Sequence, residues 1–196
     1  MTPVGHAAPR FRSGAGRLCL DFMRTLRLRG MDDAVEELAT PEALAAWVRQ
    51  FGPYPTGTTV AAPTTDVLHE ARRLREAVHT LLTTARGEHG AAGCPPGSRR
   101  LLNRAAAAPT PVPLLGDGGT VRHDAADPVG AVLATVARDA LDLATSPALD
   151  RVRVCAGPGC AAWFLDASRP GSRRWCSMET CGNQAKKSTW RTRHAG

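Results

Sequence analysis

Four cysteines carry the first chemical signal. Cys155 and Cys160 are separated by four residues, Cys176 and Cys181 by four more, and fifteen residues divide the two pairs. Thiolates are soft ligands, and zinc takes four of them as a tetrahedron with bonds of about 2.3 Å. Clustered thiols in a reducing compartment serve as metal ligands more often than as disulfides. The spacing therefore favours one structural zinc over two disulfides, free thiols or another metal. Four sulfurs leave no open position for water, and no histidine or carboxylate fills a ligand slot, so a catalytic zinc is not expected. Of the remaining cysteines, Cys19 reads as a small core hydrophobe and Cys94 as a loop thiol.

The second signal is charge. Residues 1–150 hold 16 arginines against 16 acids, whereas residues 151–196 hold nine basic residues against Asp166 and Glu179. The whole net charge of +7 thus sits on the segment that holds the four thiols. A basic module beside a neutral one points to a polyanion. Part of the charge could instead neutralise a zinc–tetrathiolate group, which is formally doubly negative, and cations late in a helix also suit its dipole. The preference for arginine over lysine carries little weight in a chain this rich in Ala, Gly and Pro.

These side chains need a scaffold. Arg151 to Cys155 alternates polar and apolar like a short strand, and AGPG turns the chain between the first two thiols. Trp163-Phe164-Leu165 reads as a strand, Ser168 to Ser172 as a Pro-Gly turn, and Arg173-Arg174-Trp175-Cys176 as the returning strand of a hairpin. Ser177 caps a helix starting at Met178, with Cys181 in its first turn. Knuckle, hairpin and helix make a treble-clef-like zinc module. So small a module lacks the core to fold alone, which couples its folding to the metal. On the helix, Asn183, Gln184, Lys186, Lys187, Trp190, Arg191, Arg193 and His194 fall outside the face of small residues that suits packing on the hairpin.

Residues 1–150 read as mostly helical. Gly16 to Leu28 is expected to be a strand and then a helix. Thr40-Pro41 marks a helix start and Gly52 its end. The longest helix is expected from Asp66 to about Arg86, with apolar residues at steps of three and four. Ser98 reads as the cap of a helix over 99–108. Residues 112–115 and 120–123 read as a hairpin about a glycine-rich turn, and Asp127-Pro128 starts a last helix reaching Thr145. The fold class is α+β: a mostly helical first domain with one β-hairpin, residues 1–150, followed by the zinc module, residues 151–196. His69 and His79, with Arg72, Arg73 and Arg75, read as a solvated helix face. The acidic run Asp32, Asp33, Glu36 and Glu37 reads as a solvated helix start.

Enzyme signatures are missing. There is no Walker loop, no G-x-G-x-x-G after a strand, no H-E-x-x-H and no G-x-S-x-G, so the chain is not read as an enzyme. Neither a spanning apolar segment nor a secretory h-region is visible, which suggests a cytoplasmic protein without a membrane partner.

The run CAGPGCAAWFLDASRPGSRRWCSMETCGNQAKK, Cys155 to Lys187, resembles the bacterial CGNR zinc finger, through its four thiols, W-F-x-D, R-R-W-C-S-M and C-G-N. The upstream pieces LCLDFMRTL, ARRLREAVHTLL and LLNRAAAAP resemble the ABATE domain that precedes this finger. The resemblance spans nearly the whole chain and implies a stress-induced transcriptional regulator whose finger binds DNA. Two positions depart from the pattern: Gln184 stands where the family has Arg, and Arg24 where it usually has Asn. The metal ligands are unaffected.

The sequence therefore suggests a zinc-containing, DNA-binding transcriptional regulator. Cys155, Cys160, Cys176 and Cys181 would hold the metal. Arg169, Arg173, Arg174, Lys186, Lys187, Arg191 and Arg193 would meet phosphates of double-stranded DNA, and Asn183 and Gln184 would reach base edges, since amides can pair bidentately with adenine. The first domain would sense a small-molecule effector or form a homodimer. The alternative is a zinc-stabilised protein-interaction module that docks through Trp163, Trp175 and Trp190.

Overall fold

The computed structural model describes residues 11–157 and 159–193, with the side chains of 188, 189 and 191–193 outside that description. Its helices start at strong local signals. Thr40 Oγ1 accepts the N–H of Ala43 at 3.3 Å and Pro41 follows at the first helical position, opening α2 (Pro41–Phe51), which Gly52 closes. Thr64 Oγ1 caps α3 (Thr65–Ala85) through Val67 N–H, and Asp127 caps α5 (Pro128–Thr145) through Gly130 N–H at 3.0 Å. Between them lies α4 (Pro96–Ala107). It begins ahead of Ser98, because Pro96 supplies a first-turn φ and needs no N–H partner.

The expected strand-then-helix over 16–28 is reversed. A six-residue helix, α1 (Leu18–Met23), comes first and the two-residue strand β1 (Leu26–Arg27) follows. Arg17 at its N-cap offers no capping side chain. The orphan N–H of Cys19 is instead taken by Asp139 Oδ2 of α5 at 2.8 Å, while Arg17 bonds Asp139 and Asp142 at 2.7 and 2.6 Å. A cap from 120 residues away has no local signature.

Strand β1 pairs antiparallel with β2 (Val35–Glu36). The acidic run is thus not a helix start. Glu36 binds the buried Arg75 guanidinium through both oxygens, at 2.7 and 2.6 Å, and Glu37 lies 3.7 Å from Arg27. Arg75 is only 2% exposed, which removes it from the solvated face expected for α3; His69 is exposed as expected. The predicted hairpin forms from β3 (Val112–Leu115) and β4 (Val121–Asp124), in register Leu115↔Val121.

Helices α1, α3, α4 and α5 pack on one another, with α2 against α3 and α5. Phe22 meets Trp47 edge-on at 4.9 Å, and Trp47 stacks on Phe51 at 4.8 Å. Cys19 is fully buried, and Cys94, expected as a loop thiol, is buried too. The core does not stop at the end of α5. Val152, Cys155, Phe164, Cys176 and Cys181 belong to the same contiguous buried cluster as Leu20 and Leu143. Among the described residues, no helix is long and apolar enough to cross a membrane.

Candidate metal centre

After a 3₁₀ turn at Pro147–Arg151, β5 (Val152–Val154) pairs with β6 (Trp163–Leu165), in register Val152↔Leu165 and Val154↔Trp163. The hairpin is therefore built on the knuckle itself and not on the Arg173–Cys176 segment, which is no strand. That segment still comes alongside, since Ala156 N–H donates to Arg174 O at 2.9 Å. Cys155 N–H closes the knuckle onto Ala162 O at 2.8 Å, and Cys160 N–H bonds Gly157 O at 3.1 Å. Ser177 Oγ accepts Thr180 N–H, opening a π-turn over Met178–Gly182 that holds Cys181 and leads into α6 (Asn183–Arg193).

The two pairs converge. The sulfurs of Cys155, Cys160, Cys176 and Cys181 all lie within 4.8 Å of one another, and the Cys160–Cys176 and Cys176–Cys181 separations are both 3.7 Å. A zinc tetrahedron with 2.3 Å bonds has sulfur–sulfur edges of about 3.8 Å, so the donor set fits the ion. None of the four is in a disulfide. Cys155 Sγ also accepts the N–H groups of Gly157 and Cys176 at 3.4 and 3.3 Å, as a thiolate would. A Cβ on Gly157 would stand 2.9 Å from Cys181 Cβ and 3.2 Å from its sulfur, so only glycine admits this closeness.

Without metal the thiols compete for charge. The hydrogen bond from Cys176 pushes the Cys160 thiol down to about 4, and the same contact raises Cys176. Burial raises Cys181. The cluster thus favours a charge on Cys160, while Cys176 and Cys181 resist theirs until a cation joins them.

Asp166 braces the centre from behind. Its fully buried carboxylate accepts the N–H groups of Ser168 and Arg173 at 3.0 and 2.8 Å, together with the Ser168 hydroxyl. These bonds, the hydroxyl's above all, hold its carboxyl below the usual carboxylate range. Arg173 extends the brace, donating to the carbonyls of Trp175 and Cys176 while lying over the Phe164 ring at 4.8 Å.

The finger is docked on the helices. Leu165 N–H donates to Ala15 O at 2.7 Å, and Gly16, at φ +87°, lets the chain pass Leu165, whose Cβ would meet an added Cβ at 3.0 Å. Arg24 Nη2 reaches Cys176 Sγ at 3.7 Å. His79, expected on a solvated face, is half-buried against Trp163 at 5.6 Å, and Arg86 covers that indole at 5.1 Å.

Two family models match the chain. One, ABATE, described as "Putative stress-induced transcription regulator", covers residues 16–147. The chain belongs to the ABATE family. The other is the CGNR zinc finger, matching residues 151–194, the part that gathers the four sulfurs, which could hold one zinc ion. A comparison with curated proteins finds none that matches.

Within this ABATE protein the sequence-selected cations fall into three groups. Arg169, Arg174, Lys186 and Lys187 are exposed, with Arg174 lying over the Trp175 ring at 5.3 Å. Arg173 is committed to the brace just described. Arg191 and Arg193 fall on α6, with side chains outside the described set, and His194 lies outside the described residues. Asn183 is exposed and donates to Glu179 O at 3.1 Å, and exposed Gln184 borders a cleft that Arg24 also lines. Both departures from the family pattern thus meet at one place. Sequence reasoning missed that juncture and the roles of Asp166 and His79; the W-F-L-D run was the only local sign of the first.

Proposed function

We propose that this protein is a cytoplasmic transcriptional regulator that binds double-stranded DNA through a zinc-stabilised finger. In this reading residues 1–150 form the sensing or dimerising domain and residues 151–196 the reading head. Cys155, Cys160, Cys176 and Cys181 hold one zinc, whose contribution is a structural cross-link between knuckle and helix. Catalysis has no part in it.

One observation carries the reading. In the first segment Arg17, Arg24, Arg27, Arg29, Arg72, Arg73 and Arg75 contact carboxylates, and its arginines as a whole are balanced by an equal total of acids. Arg169, Arg174, Lys186 and Lys187 make no ion pair with any described residue. Exposed, unpaired cations gathered within residues 169–187, a stretch whose only acid is Glu179, are the electrostatic footprint expected of a phosphate-backbone partner. Arg191 and Arg193 extend the same charged stretch of sequence, and Gln184 and Asn183 stand beside it as base-edge candidates.

Salt titration of binding to duplex DNA tests the proposal. Four neutralised phosphates give a slope of log K against log salt of about −3.6, and Lys186→Ala makes it shallower by about 0.9. Salt-independent binding, or none at low salt, rejects it. Exposed Trp190 and Met178 favour a second reading, protein docking through the finger. Trp163 and Trp175 are half-buried under arginines, which leaves that surface small. Capture of a partner that survives high salt and nuclease would support it.

A further inference from the structure

A cleft of about 290 Å³ opens where the finger meets the helices, between the end of α1, β1, His79 of α3, the knuckle and the start of α6. Four arginines line it, Arg12, Arg24, Arg27 and Arg29, and no carboxylate does. Arg27 ends β1 and Arg29 follows it in a turn, with Leu28 between them at positive φ, and both arginines reach the cleft wall. We propose that this cleft binds a small molecule bearing a carboxylate or phosphate on an apolar body.

Neighbouring negative groups engage these cations without using all of their donors. A guanidinium carries five N–H donors. Arg24 bonds Ser13 O, Asp21 and Cys176 Sγ at 3.1, 3.4 and 3.7 Å, yet its Nε is buried with no partner. Arg27 has only Glu37, at a distance beyond a hydrogen bond, and Arg12 makes no ion pair with any described residue. Arg29 alone is well matched, by Glu76. A buried donor without an acceptor is rare, and this one belongs to a residue of the cleft wall, beside the partly exposed guanidiniums of Arg12 and Arg27 that can receive an anion.

Backbone strain gathers at the same place. Among the described residues, the non-glycine positions with positive φ are Leu28 (54°) and Ala161 (46°), and both line the cleft. One comes from the ABATE match and the other from the finger match. Such conformations persist where the surrounding structure needs them, and they concentrate at binding sites. Together with Met23, Leu26 and Trp163, they give the cleft apolar lining beside its donors. The volume suits a monocyclic ligand, since pockets for drug-sized molecules run from about 300 Å³ upward. Through Cys160 and Cys181 the cleft also borders the metal centre, so a ligand seated there touches both parts of the molecule.

Isothermal titration of the full-length, zinc-loaded protein tests the site, using phenyl phosphate, benzoate and inorganic phosphate as probes. One saturable site per chain is expected. At least one of the two aromatic anions should bind more tightly than inorganic phosphate, and the better of them names the headgroup. Arg12→Gln, at an exposed position away from the metal ligands, should weaken binding about tenfold. Gln184→Glu should weaken it further by placing a like charge at the rim, while Arg100→Gln on the exposed side of α4 should leave it unchanged. Zinc content and far-ultraviolet circular dichroism establish that each variant is folded. Absence of saturable binding by all three probes overturns the proposal, and so does equal binding by all variants. No DNA enters the measurement, so its outcome stands apart from the role of the finger.

Discussion

Arg24, at the end of α1, donates through Nη2 to the sulfur of Cys176 at 3.7 Å, across 152 residues of sequence. The same side chain holds Ser13 O and the buried Asp21 carboxylate. One guanidinium thus ties the first helix to the thiol cluster, where its charge opposes that of the thiolates.

Replacing Arg24 should therefore disturb both parts. Arg24→Met leaves Asp21 buried and unpaired, a carboxyl that burial already raises, and should cost about 3 kcal/mol of stability. Urea denaturation of zinc-loaded protein checks the value. The loss should be smaller in zinc-free protein, where the thiolates that Arg24 faces are fewer. Arg24→Lys should recover little, because the three N–H groups of an ammonium radiate from one nitrogen and cannot span acceptors that Nη1 and Nη2 reach separately.

Metal removal should reach beyond the finger. Cys155, Cys176 and Cys181 share the buried cluster with Phe164, Leu20 and Leu143, so loss of the ion exposes surface continuous with the helical core. Chelation should lower the thermal midpoint of the whole chain, not only of a C-terminal transition, and zinc should restore it. Elemental analysis of protein prepared under reductant should give one zinc per chain. A single early transition, with the helices melting unchanged, would contradict the continuity seen here.

Gly157 offers a sharper probe of the centre. Gly157→Ala sets a methyl 2.9 Å from Cys181 Cβ, and one of the two must shift. Zinc affinity, measured against a chromophoric chelator, should drop about 10–100-fold, the range for disturbed metal surroundings. Gly97→Ala on α4, where nothing lies within 4 Å, should have no such effect.

His79 should make stability pH-dependent. Burial against Trp163 lowers its pKa, the Arg29 charge lowers it further, and Glu76 opposes both. The unfolded chain then binds a proton at a higher pH than the folded one. Its contribution is complete above the ordinary histidine value of about 6.5 and is lost as pH falls below it. Denaturation midpoints of wild type and His79→Gln should run parallel at neutral pH and converge as the solution is acidified through that value. Parallel curves throughout would show that the imidazole is not shielded.

Much of this was readable residue by residue. Thr40-Pro41 and Asp127-Pro128 open helices because their caps and prolines act within one turn. The spacing of four thiols is a local regularity, and so is the run of cations after Cys181. Arg75 and His79 were misjudged for the opposite reason. Their burial depends on Glu36 and Trp163, which approach from distant elements. The inversion of helix and strand after Gly16 has the same origin, since Asp139 provides the missing cap.

Linear order was enough to establish which groups could bind zinc and where the positive charge accumulates, because ligand type, capping and charge are properties of neighbouring residues. Folding alone settled that the thiol cluster lies against α1, that Arg173 is bound internally while Arg174 is exposed, and that four arginines border one cleft. The first comes from packing between segments more than a hundred residues apart, which no window of sequence contains; the other two depend on chain reversals over a few residues that no periodicity announces.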